Sequence, residues 1–492
     1  MDEILVNYLR FCKKGDFVQK FDEFKSLTIL DINYQNENSI SFLLVAVAYK
    51  HIEGVKWLLD AGADPNLKDK KGQSCLYLLR TSWCLEMVQL LLTAGADVNS
   101  VDSVGNTPIA VHIGFQTAAN LDFILMLLRA GGNPSIPNNS GKTCFDLIEN
   151  HTYGNILRLL FSAKDNLNLQ DPSNGYTLLH YAVSYQLQNL VKYLLFLKAD
   201  PNISNNLGNT PLHLAVTIDL SKIKEDTHPK FLAPITELFS HGVDLNRQNL
   251  DGDTPLHIAV KSCSKNYVKH LMSLGADQNI QNSSGNTALH IATDFESKHL
   301  FSLLRNDSIN LDLQNAEKKT ALDLAICNGK MFATSLLLSF GANMEIRGEY
   351  GYSAIHWAVH KSSVEALQLL IQFRADLNLK TDFGFTALHL SVLNHRLEII
   401  KLLCKSGVDL NSQDNYEDTP LHLAVKSFDK GVEILIDSGA NLFIENNCRT
   451  TAVDYLTKRY LSTMKRLSST CQQTIADRIA IKLTPEQESC IN

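Results

Sequence analysis

Residues Leu250–Asn282 of this chain read LDGDTPLHIAVKSCSKNYVKHLMSLGADQNIQN, and variants of this stretch recur along most of the sequence. The position of Thr254 is occupied by Ser or Thr in the other copies, at Ser41, Ser74, Thr107, Thr143, Thr177, Thr210, Thr287, Thr320, Ser353, Thr386, Thr419 and Thr451. We name each repeat after its Ser or Thr at this position, so the copy quoted above is the Thr254 repeat. Most copies are 33 residues apart, and the longest step, from Thr210 to Thr254, is 44 residues. A constant period of this size predicts an array of stacked supersecondary units instead of one globular domain.

The residues of the Thr254 repeat predict a tight turn and two short helices. Gly252 can adopt a positive φ in the turn, Thr254 can cap the first helix, and Pro255 suits the first helical position. A second helix is predicted over residues 267–274, and Gly275 ends it as a left-handed cap. Isolated helices shorter than about 12–15 residues are marginal in water, so each pair must depend on burial against its neighbours.

Short motifs within the repeat are specific. Thr-Pro-Leu-His stands at 210–213, 254–257 and 419–422, Thr-Ala-Leu-His at 287–290 and 386–389, and Gly-Ala-Asp at 62–64, 95–97 and 275–277. These motifs and their period resemble the ankyrin repeat over residues 31–467. The resemblance implies an all-α solenoid of stacked antiparallel helix pairs with β-hairpin tips, curved, with N- and C-terminal caps. It also implies a scaffold, adaptor or inhibitor that binds another protein through its concave face and hairpin tips.

Variation among the copies divides the chain. The first four repeats hold Leu, Tyr, Ala and Asp where most later ones hold His, and the Thr210 repeat carries 11 extra residues. This insertion, at about 220–230, is either a docking element or a tolerated loop. The predicted divisions are a capping helix pair at 1–35, degenerate repeats at 36–171, regular repeats at 172–447, a C-terminal capping repeat at 448–468 and a polar tail at 469–492.

Composition and charge exclude several classes of partner. The 492-residue chain has a formal net charge of −7, which disfavours nucleic acid and anionic membrane surfaces as general partners. No apolar run approaches the roughly 18 residues of a membrane span, so no membrane insertion is expected. The acidic start, MDEILVNY, differs from a secretory signal, and ten cysteines in such a chain indicate free thiols in a reducing compartment. We therefore expect a cytoplasmic protein, with a nuclear location left open.

The sequence offers few candidates for catalysis or metal binding. Ser140-Gly-Lys-Thr143 resembles the end of a phosphate-binding loop, but Ile136 stands where that loop requires Gly. Seven histidines share one position of the repeat, at His180, His213, His257, His290, His356, His389 and His422. With one per repeat they would lie about 8–10 Å apart, too far to share a zinc ion. In ankyrin repeats this His forms hydrogen bonds around the Thr that caps the helix, so we expect a structural role for these histidines. We therefore expect no metal, no cofactor and no enzyme activity.

Large aromatic residues interrupt the mostly polar turns in three consecutive repeats. Tyr350, Phe383 and Tyr416 are spaced by 33 residues and share one position, so they should stack along one edge. Aromatic residues on polar turns are typical of protein interfaces, although these rings could instead only pack on one another. Trp357 is expected in the core. The candidate protein-binding residues are Tyr350, Tyr352, His360, Lys361, Phe383, Phe385, Asn394 and Tyr416.

Two other functions fit the same repeats. A substrate-recruiting subunit of a ubiquitin ligase would dock the ligase through the tail at 468–492. An ankyrin effector of an intracellular microbe would act in the host cytosol, and the Asn- and Lys-rich composition, typical of AT-rich genomes, is a weak indication of it.

Overall fold

The Thr254 repeat shows how one copy folds. Thr254 is extended (φ −84°, ψ 166°), and its hydroxyl caps the helix Pro255–Lys261 by accepting a backbone N–H of the first turn. A left-handed Cys263 (φ 53°) follows this helix, and the second helix, Lys265–Ser273, is followed by a left-handed Gly275 (φ 91°). The turn, cap and helix stop predicted from the sequence are therefore present.

The computed structural model describes residues 31–79, 85–113, 118–148, 153–163, 166–217, 228–295, 297–305, 308–456 and 467–482. The chain divides into two compact units, Met1–Ile218 with Lys224–Asp244, and Asp219–Ile223 with Leu245–Asn492. Helices of the first unit are α1 (Phe42–Ala48), α2 (Ile52–Asp60), a 3₁₀ helix (Cys75–Leu78), α3 (Leu85–Thr93), α4 (Pro108–Ile113), α5 (Ala118–Arg129), α6 (Cys144–Leu147), α7 (Gly154–Ala163), α8 (Leu178–Ser184), α9 (Gln188–Phe196), α10 (Pro211–Ala215) and α11 (His228–Ser240).

Helices of the second unit are α12 (Pro255–Lys261), α13 (Lys265–Ser273), α14 (Ala288–Ala292), α15 (Lys298–Leu304), α16 (Ala321–Cys327), α17 (Met331–Ser339), a 3₁₀ turn (Glu349–Gly351), α18 (Ala354–His360), α19 (Val364–Gln372), α20 (Ala387–Leu393), α21 (Leu397–Lys405), α22 (Pro420–Ser427), α23 (Asp429–Asp437), α24 (Ala452–Asp454) and α25 (Ser469–Lys482).

The core lies between consecutive helix pairs. Within each unit, most first helices pack beside the first helix of the next repeat, and most second helices pack beside the next second helix. Leu256, Ala259 and Val260 of α12, with Val268 and Leu271 of α13, are at most 1% exposed. Burial of one such large aliphatic side chain contributes about 1.5–3 kcal/mol, so a repeat is stabilised mainly by its neighbours.

Side-chain amides also join consecutive repeats. Gln281 Nε2 donates to the carbonyl of Gly285 in its own turn and to that of Gln314 in the next (2.7 and 2.8 Å). Asn279 Oδ1 accepts the N–H of Asn310, 31 residues further on, at 2.8 Å. Equivalent bonds are made by Asn33, Asn66, Asn99, Asn168, Asn202, Asn246, Asn378 and Asn411. The asparagine-rich composition therefore has a structural cause, because each of these side chains ties two repeats together.

The tips of the repeats are tight turns without strands in the part of the chain that the structure describes. In the Thr254 repeat the Asn249 N–H donates to the Asp253 carbonyl at 3.0 Å. The Ser283 N–H of the next tip donates to the Asp251 carbonyl, also at 3.0 Å. The Gly252 N–H also donates to the Asn249 carbonyl at 2.9 Å. Since two such bonds close the turn and one joins the two tips, no ladder of strand length arises.

The first unit departs from the regular pattern in the degenerate repeats. In the Ser74 repeat, Tyr77 replaces the histidine, and its hydroxyl lies 2.5 and 2.8 Å from the carbonyl oxygens of Ser100 and Asn106. Asn189 on α9 donates to the Asp122 carboxylate on α5 at 3.0 Å, across 67 residues. Helices two repeats apart thus touch directly, which a regular array would not permit.

Several predicted segments fall partly outside the described residues. The capping pair at 1–35 is described only from residue 31, and the 220–230 insertion only from 228. Residues 228–230 belong to α11, so they are helical and not part of a loop. At the C-terminus, α25 packs on the Thr419 repeat, where the Arg478 guanidinium donates to the carbonyls of Ile436 (2.9 Å) and Ala440 (3.1 Å). Its Ile475 is 1% exposed.

Candidate protein-binding surface

The repeated histidines are buried structural residues. In the Thr254 repeat, His257 Nδ1 accepts the Thr254 N–H at 3.1 Å, which leaves Nε2 as the protonated nitrogen. Nε2 donates to the Asn286 carbonyl, 29 residues on, at 2.9 Å. Burial lowers the pKa of the equivalent His180 and His389 to about 4, so these rings are neutral at pH 7. Within the described residues no group of His, Cys, Asp or Glu side chains could hold a metal ion.

Tyr350, Phe383 and Tyr416, named here the aromatic ridge, lie on three consecutive tips. Their side chains are 56, 51 and 68% exposed. The Tyr350 carbonyl accepts the N–H of Asp382 (3.0 Å), and the Phe383 carbonyl accepts that of Asn415 (3.2 Å). These are the same bonds that join the polar tips. The backbone therefore holds successive ridge residues side by side.

The two expectations for the ridge, binding a partner and packing of ring on ring, are both consistent with its geometry. Tyr350 and Phe383 stack with ring centroids 6.4 Å apart and 28° between the ring planes. Such a pair contributes about 0.5–1.5 kcal/mol. Each ring nevertheless remains more than half exposed, so stacking uses only part of the apolar surface.

The other aromatic candidates, Tyr352 and Phe385, are half-buried and form the base of the ridge. Tyr352 contacts Trp357 on α18 edge-on at 5.1 Å between ring centroids, and Phe385 contacts His389 on α20 at 6.0 Å. Trp357 is buried, as the sequence predicted. The remaining candidates, His360, Lys361 and Asn394, are exposed at the ends of α18 and α20. His360 reaches the Tyr352 ring at 6.0 Å, which joins the helix end to the ridge base.

The Tyr350 backbone adopts an uncommon conformation. It is left-handed (φ 56°, ψ 17°), and Gly351 after it is left-handed as well (φ 71°). A bulky residue in this region costs roughly 1–3 kcal/mol, and such strain is concentrated at functional sites. The Tyr350 side chain is exposed at this strained position.

At two of the three aromatic tips, one amide bond that joins other repeats is absent. In the regular tips an Asn side chain donates to the polar residue before the Ser or Thr, as Asn282 does to Asp253 at 2.8 Å. At the tips of Tyr350 and Phe383 that polar residue is replaced by Tyr352 and Phe385, and the donating Asn by Gly348 and Thr381. The Tyr416 tip keeps the bond, from Asn446 to Asp418 at 2.6 Å. Positions whose side chains form hydrogen bonds between neighbouring repeats elsewhere therefore carry aromatic side chains at the first two tips.

Charged groups border the ridge. Arg347 and Asp382 form an exposed ion pair at 2.6 Å that connects the first two aromatic tips. Lys426 pairs with the largely buried Asp418 at 2.6 Å below the third tip. Such exposed pairs contribute little to stability, so the first is free to exchange partners at an interface.

Three exposed apolar tip residues were missed in the sequence. Val104 and Leu207 occupy the Tyr350 position in their own repeats and are 52 and 65% exposed, and Leu250 is 72% exposed. Aligning every repeat on its Ser or Thr would have found the first two, since both stand three residues before it.

Stacked helix pairs with buried Thr–His caps define a helical repeat protein. The family profile described as ankyrin repeats (3 copies) matches residues 43–138, 144–223, 230–315, 297–381 and 363–446. These matches cover most of the chain, which therefore belongs to the ankyrin repeat family. Ankyrin repeats are a protein–protein interaction module. None of the helices in the described ranges is long and apolar enough to cross a bilayer.

Similar proteins come from a bacterium, a virus and vertebrates. A putative ankyrin repeat protein of Rickettsia felis is 36% identical over 110 residues, 22% of this chain and 46% of that protein. Putative ankyrin repeat protein L371 of Acanthamoeba polyphaga mimivirus is 24% identical over 266 residues, 52% of this chain and 32% of that protein. The nuclear factor NF-kappa-B p105 subunit of Gallus gallus is 29% identical over 227 residues, 44% of this chain and 23% of that protein. The chain thus spans less than half the length of each of these relatives.

Among solved structures, the ankyrin repeat domain of Bcl-3, a member of the IkappaB protein family, is similar with a TM-score of 0.42 and 28% sequence identity. The match covers 46% of this chain and 98% of that domain.

Proposed function

We propose that the protein is a non-catalytic scaffold or adaptor that binds a partner protein through the aromatic ridge and the adjoining ends of α18 and α20. The observation that carries this proposal is the exposure of three consecutive tip aromatics, each more than 50% exposed, on a rigid backbone. Aromatic residues dominate the energetics of interfaces because they bury a large area at a small entropic cost.

The ridge offers enough apolar area for an interface centre. A Tyr or Phe side chain buries about 150–250 Å² when fully enclosed. At about 25 cal/mol per Å², covering the exposed half of one ring yields about 2 kcal/mol before the costs of association. Three such rings, with polar groups at their border, match the composition of an interface core with a polar rim.

The test compares two triple variants made at the same tip position. The first is Tyr350→Ala/Phe383→Ala/Tyr416→Ala. The control replaces polar residues at the same position of other repeats, Lys71→Ala/Asp251→Ala/Ser284→Ala. Both sets lie on turn surfaces, so circular dichroism and the melting temperature should show that both variants remain folded.

Proximity labelling in cells then compares wild type with the two variants. We expect a set of labelled proteins that is retained by the control variant and lost by the ridge variant. An identical labelled set for wild type and a folded ridge variant would refute the proposed site.

The matches to Rickettsia felis and Acanthamoeba polyphaga mimivirus proteins favour one second candidate, an ankyrin effector of a microbe that acts in host cytosol. A fusion to a translocation reporter tests it, and failure of the reporter to reach host cytosol would exclude it. The ubiquitin-ligase alternative requires the tail to bind a ligase. Ile475 and Arg478 of α25 instead pack against the Thr419 repeat, so these two residues are not exposed for such binding.

A further inference from the structure

The indole of Trp357, at the base of the aromatic ridge, has no hydrogen-bond acceptor. Its side chain is 8% exposed, and its Nε1 atom is buried without a partner. Buried donors in folded proteins nearly always have an acceptor, so this exception requires an explanation. In a binding surface, the explanation is an acceptor that the partner supplies.

The side chains that contact the indole ring can move away from it. Tyr352 and His360 lie edge-on, with ring centroids 5.1 and 5.9 Å from that of Trp357, and Lys319 Nζ lies 4.9 Å from the ring centroid. His360 is exposed, and Tyr352 and Lys319 are partly exposed. Rotation of solvent-facing side chains is fast, so a ligand can reach the N–H without disturbing the packed core.

The surroundings of the indole favour an anion. Lys361 is exposed beside His360 and forms no ion pair with any residue in the described ranges. Lys361 stands four residues after Trp357, and its backbone N–H donates to the Trp357 carbonyl at 2.9 Å, so the two residues share one face at the end of α18. Lys319 is already paired with Glu317 at 2.7 Å. Lys361 is therefore the ammonium group that is available to a partner.

We infer that Trp357 and Lys361 together receive an acidic side chain of the partner protein, presented by a short extended segment. This inference rests on the proposed function and adds the chemistry of the recognised segment. A carboxylate accepts the indole N–H and neutralises the ammonium group, whereas a main-chain carbonyl would do only the first.

An apolar residue of the same segment packs on the ridge. Tyr352 links the two sites, because its ring lies 6.4 Å from that of Tyr350 and 5.1 Å from that of Trp357. An extended chain advances about 3.3 Å per residue. The apolar and acidic residues of the segment are therefore about two to four positions apart.

The test selects binders from a phage-displayed library of random twelve-residue peptides against the full chain. We expect the enriched peptides to carry Asp or Glu about two to four residues from a large apolar residue. The tightest peptide is then synthesised together with its Glu→Gln or Asp→Asn counterpart, and affinities are measured by calorimetry. We expect neutralisation of the acid to weaken binding about 10-fold or more.

Trp357→Phe is the decisive variant, because it keeps an aromatic ring and removes the N–H. We expect a modest decrease in melting temperature, because the smaller ring leaves space in a buried site while the lost donor has no partner, and an affinity for the acidic peptide that falls about 10-fold. Lys361→Ala should lower the affinity for the acidic peptide and leave its neutral counterpart unaffected. In protein with ¹⁵N-labelled tryptophan, the indole resonance absent from Trp357→Phe should shift downfield when the acidic peptide binds.

Enrichment of peptides without an acid, or equal binding of the acidic peptide to wild type and Trp357→Phe, would overturn the inference. If peptides without an acid still required Tyr350, Phe383 and Tyr416 for binding, the proposed function would be supported, and recognition of an acidic residue by Trp357 and Lys361 would be rejected. Failure to enrich any peptide would overturn recognition of a short segment. The binding of a partner through the aromatic ridge would still be tested by proximity labelling.

Discussion

Replacing Asp323 by His should stabilise the second unit. Asp323 stands at the histidine position of the Thr320 repeat, where its carboxylate accepts the Thr320 N–H at 3.0 Å and lies 2.9 Å from the Thr320 hydroxyl. The site is 2% exposed, and burial raises the pKa of Asp323 from 3.8 to about 6. The ionised carboxylate therefore destabilises the folded state at neutral pH.

The expected gain in the free energy of unfolding follows from this pKa shift and from one hydrogen bond that Asp323 does not make. Two pKa units correspond to about 3 kcal/mol, which is lost at pH 7 and recovered as the pH falls through 6 toward 4. A histidine would also donate from Nε2 to the Tyr352 carbonyl in the next repeat, a bond worth about 1 kcal/mol. In the Thr254 repeat the equivalent Asn286 carbonyl accepts both the backbone N–H of Asn282 and the histidine, at 2.9 Å each. The geometry thus accommodates the added donor.

The assay is urea unfolding followed by circular dichroism at pH 7.5 and pH 5. We expect Asp323→His to raise the free energy of unfolding by about 2–4 kcal/mol at pH 7.5 and by less at pH 5, where the native carboxyl is protonated and a buried His destabilises. Asp146→His is the matched control: its exposed carboxylate has a pKa lowered first by the Thr143 backbone N–H, so the substitution should bring no gain. No stabilisation at pH 7.5, or the same gain at both pH values, would refute this account of Asp323.

Three further predictions concern the turns and the buried histidines. Gly252→Ala should lower the free energy of unfolding in urea by well over 1 kcal/mol, because its Cβ would clash with the backbone nitrogen of Ser283. Gly275→Ala should lower it by only about 1 kcal/mol, for its positive φ, since no atom lies near an added Cβ. Equal losses would contradict the close-approach argument. Lys318 is left-handed (φ 55°) in a turn where most other repeats have Gly, so Lys318→Gly should raise the melting temperature. A decrease would show that the flexibility of Gly in the unfolded chain outweighs the strain. Burial lowers the pKa of His389 from 6.5 to about 4, so stability is complete above pH 6.5 and should fall by up to about 3 kcal/mol for this residue as the pH drops toward 4. The fall is measured as the difference in urea midpoint between wild type and His389→Gln, and a difference independent of pH between 7.5 and 4.5 would contradict it.

Most of the fold could be predicted from local sequence because each repeat carries its own signals. Thr254 and Pro255 start a helix, and Gly275 follows the next one, at the positions that their backbone preferences predict. The candidate residues lie on tips and helix ends, since a residue's position in the repeat fixes where it lies, while their binding of a partner stays a prediction. Only their exposure differs, with Tyr350 outward and Tyr352 half-buried against Trp357.

The sequence by itself determined the repeat, its caps and the stacking of helix pairs, because these depend on residues a few positions apart. The tertiary structure decided which groups find partners across repeats. The direct bond between Asn189 and Asp122, the buried carboxyl of Asp323 and the unpaired N–H of Trp357 all depend on atoms that are distant in the chain. Burial and hydrogen bonding at such sites are set by how neighbouring repeats meet, and the period of a sequence does not specify that contact.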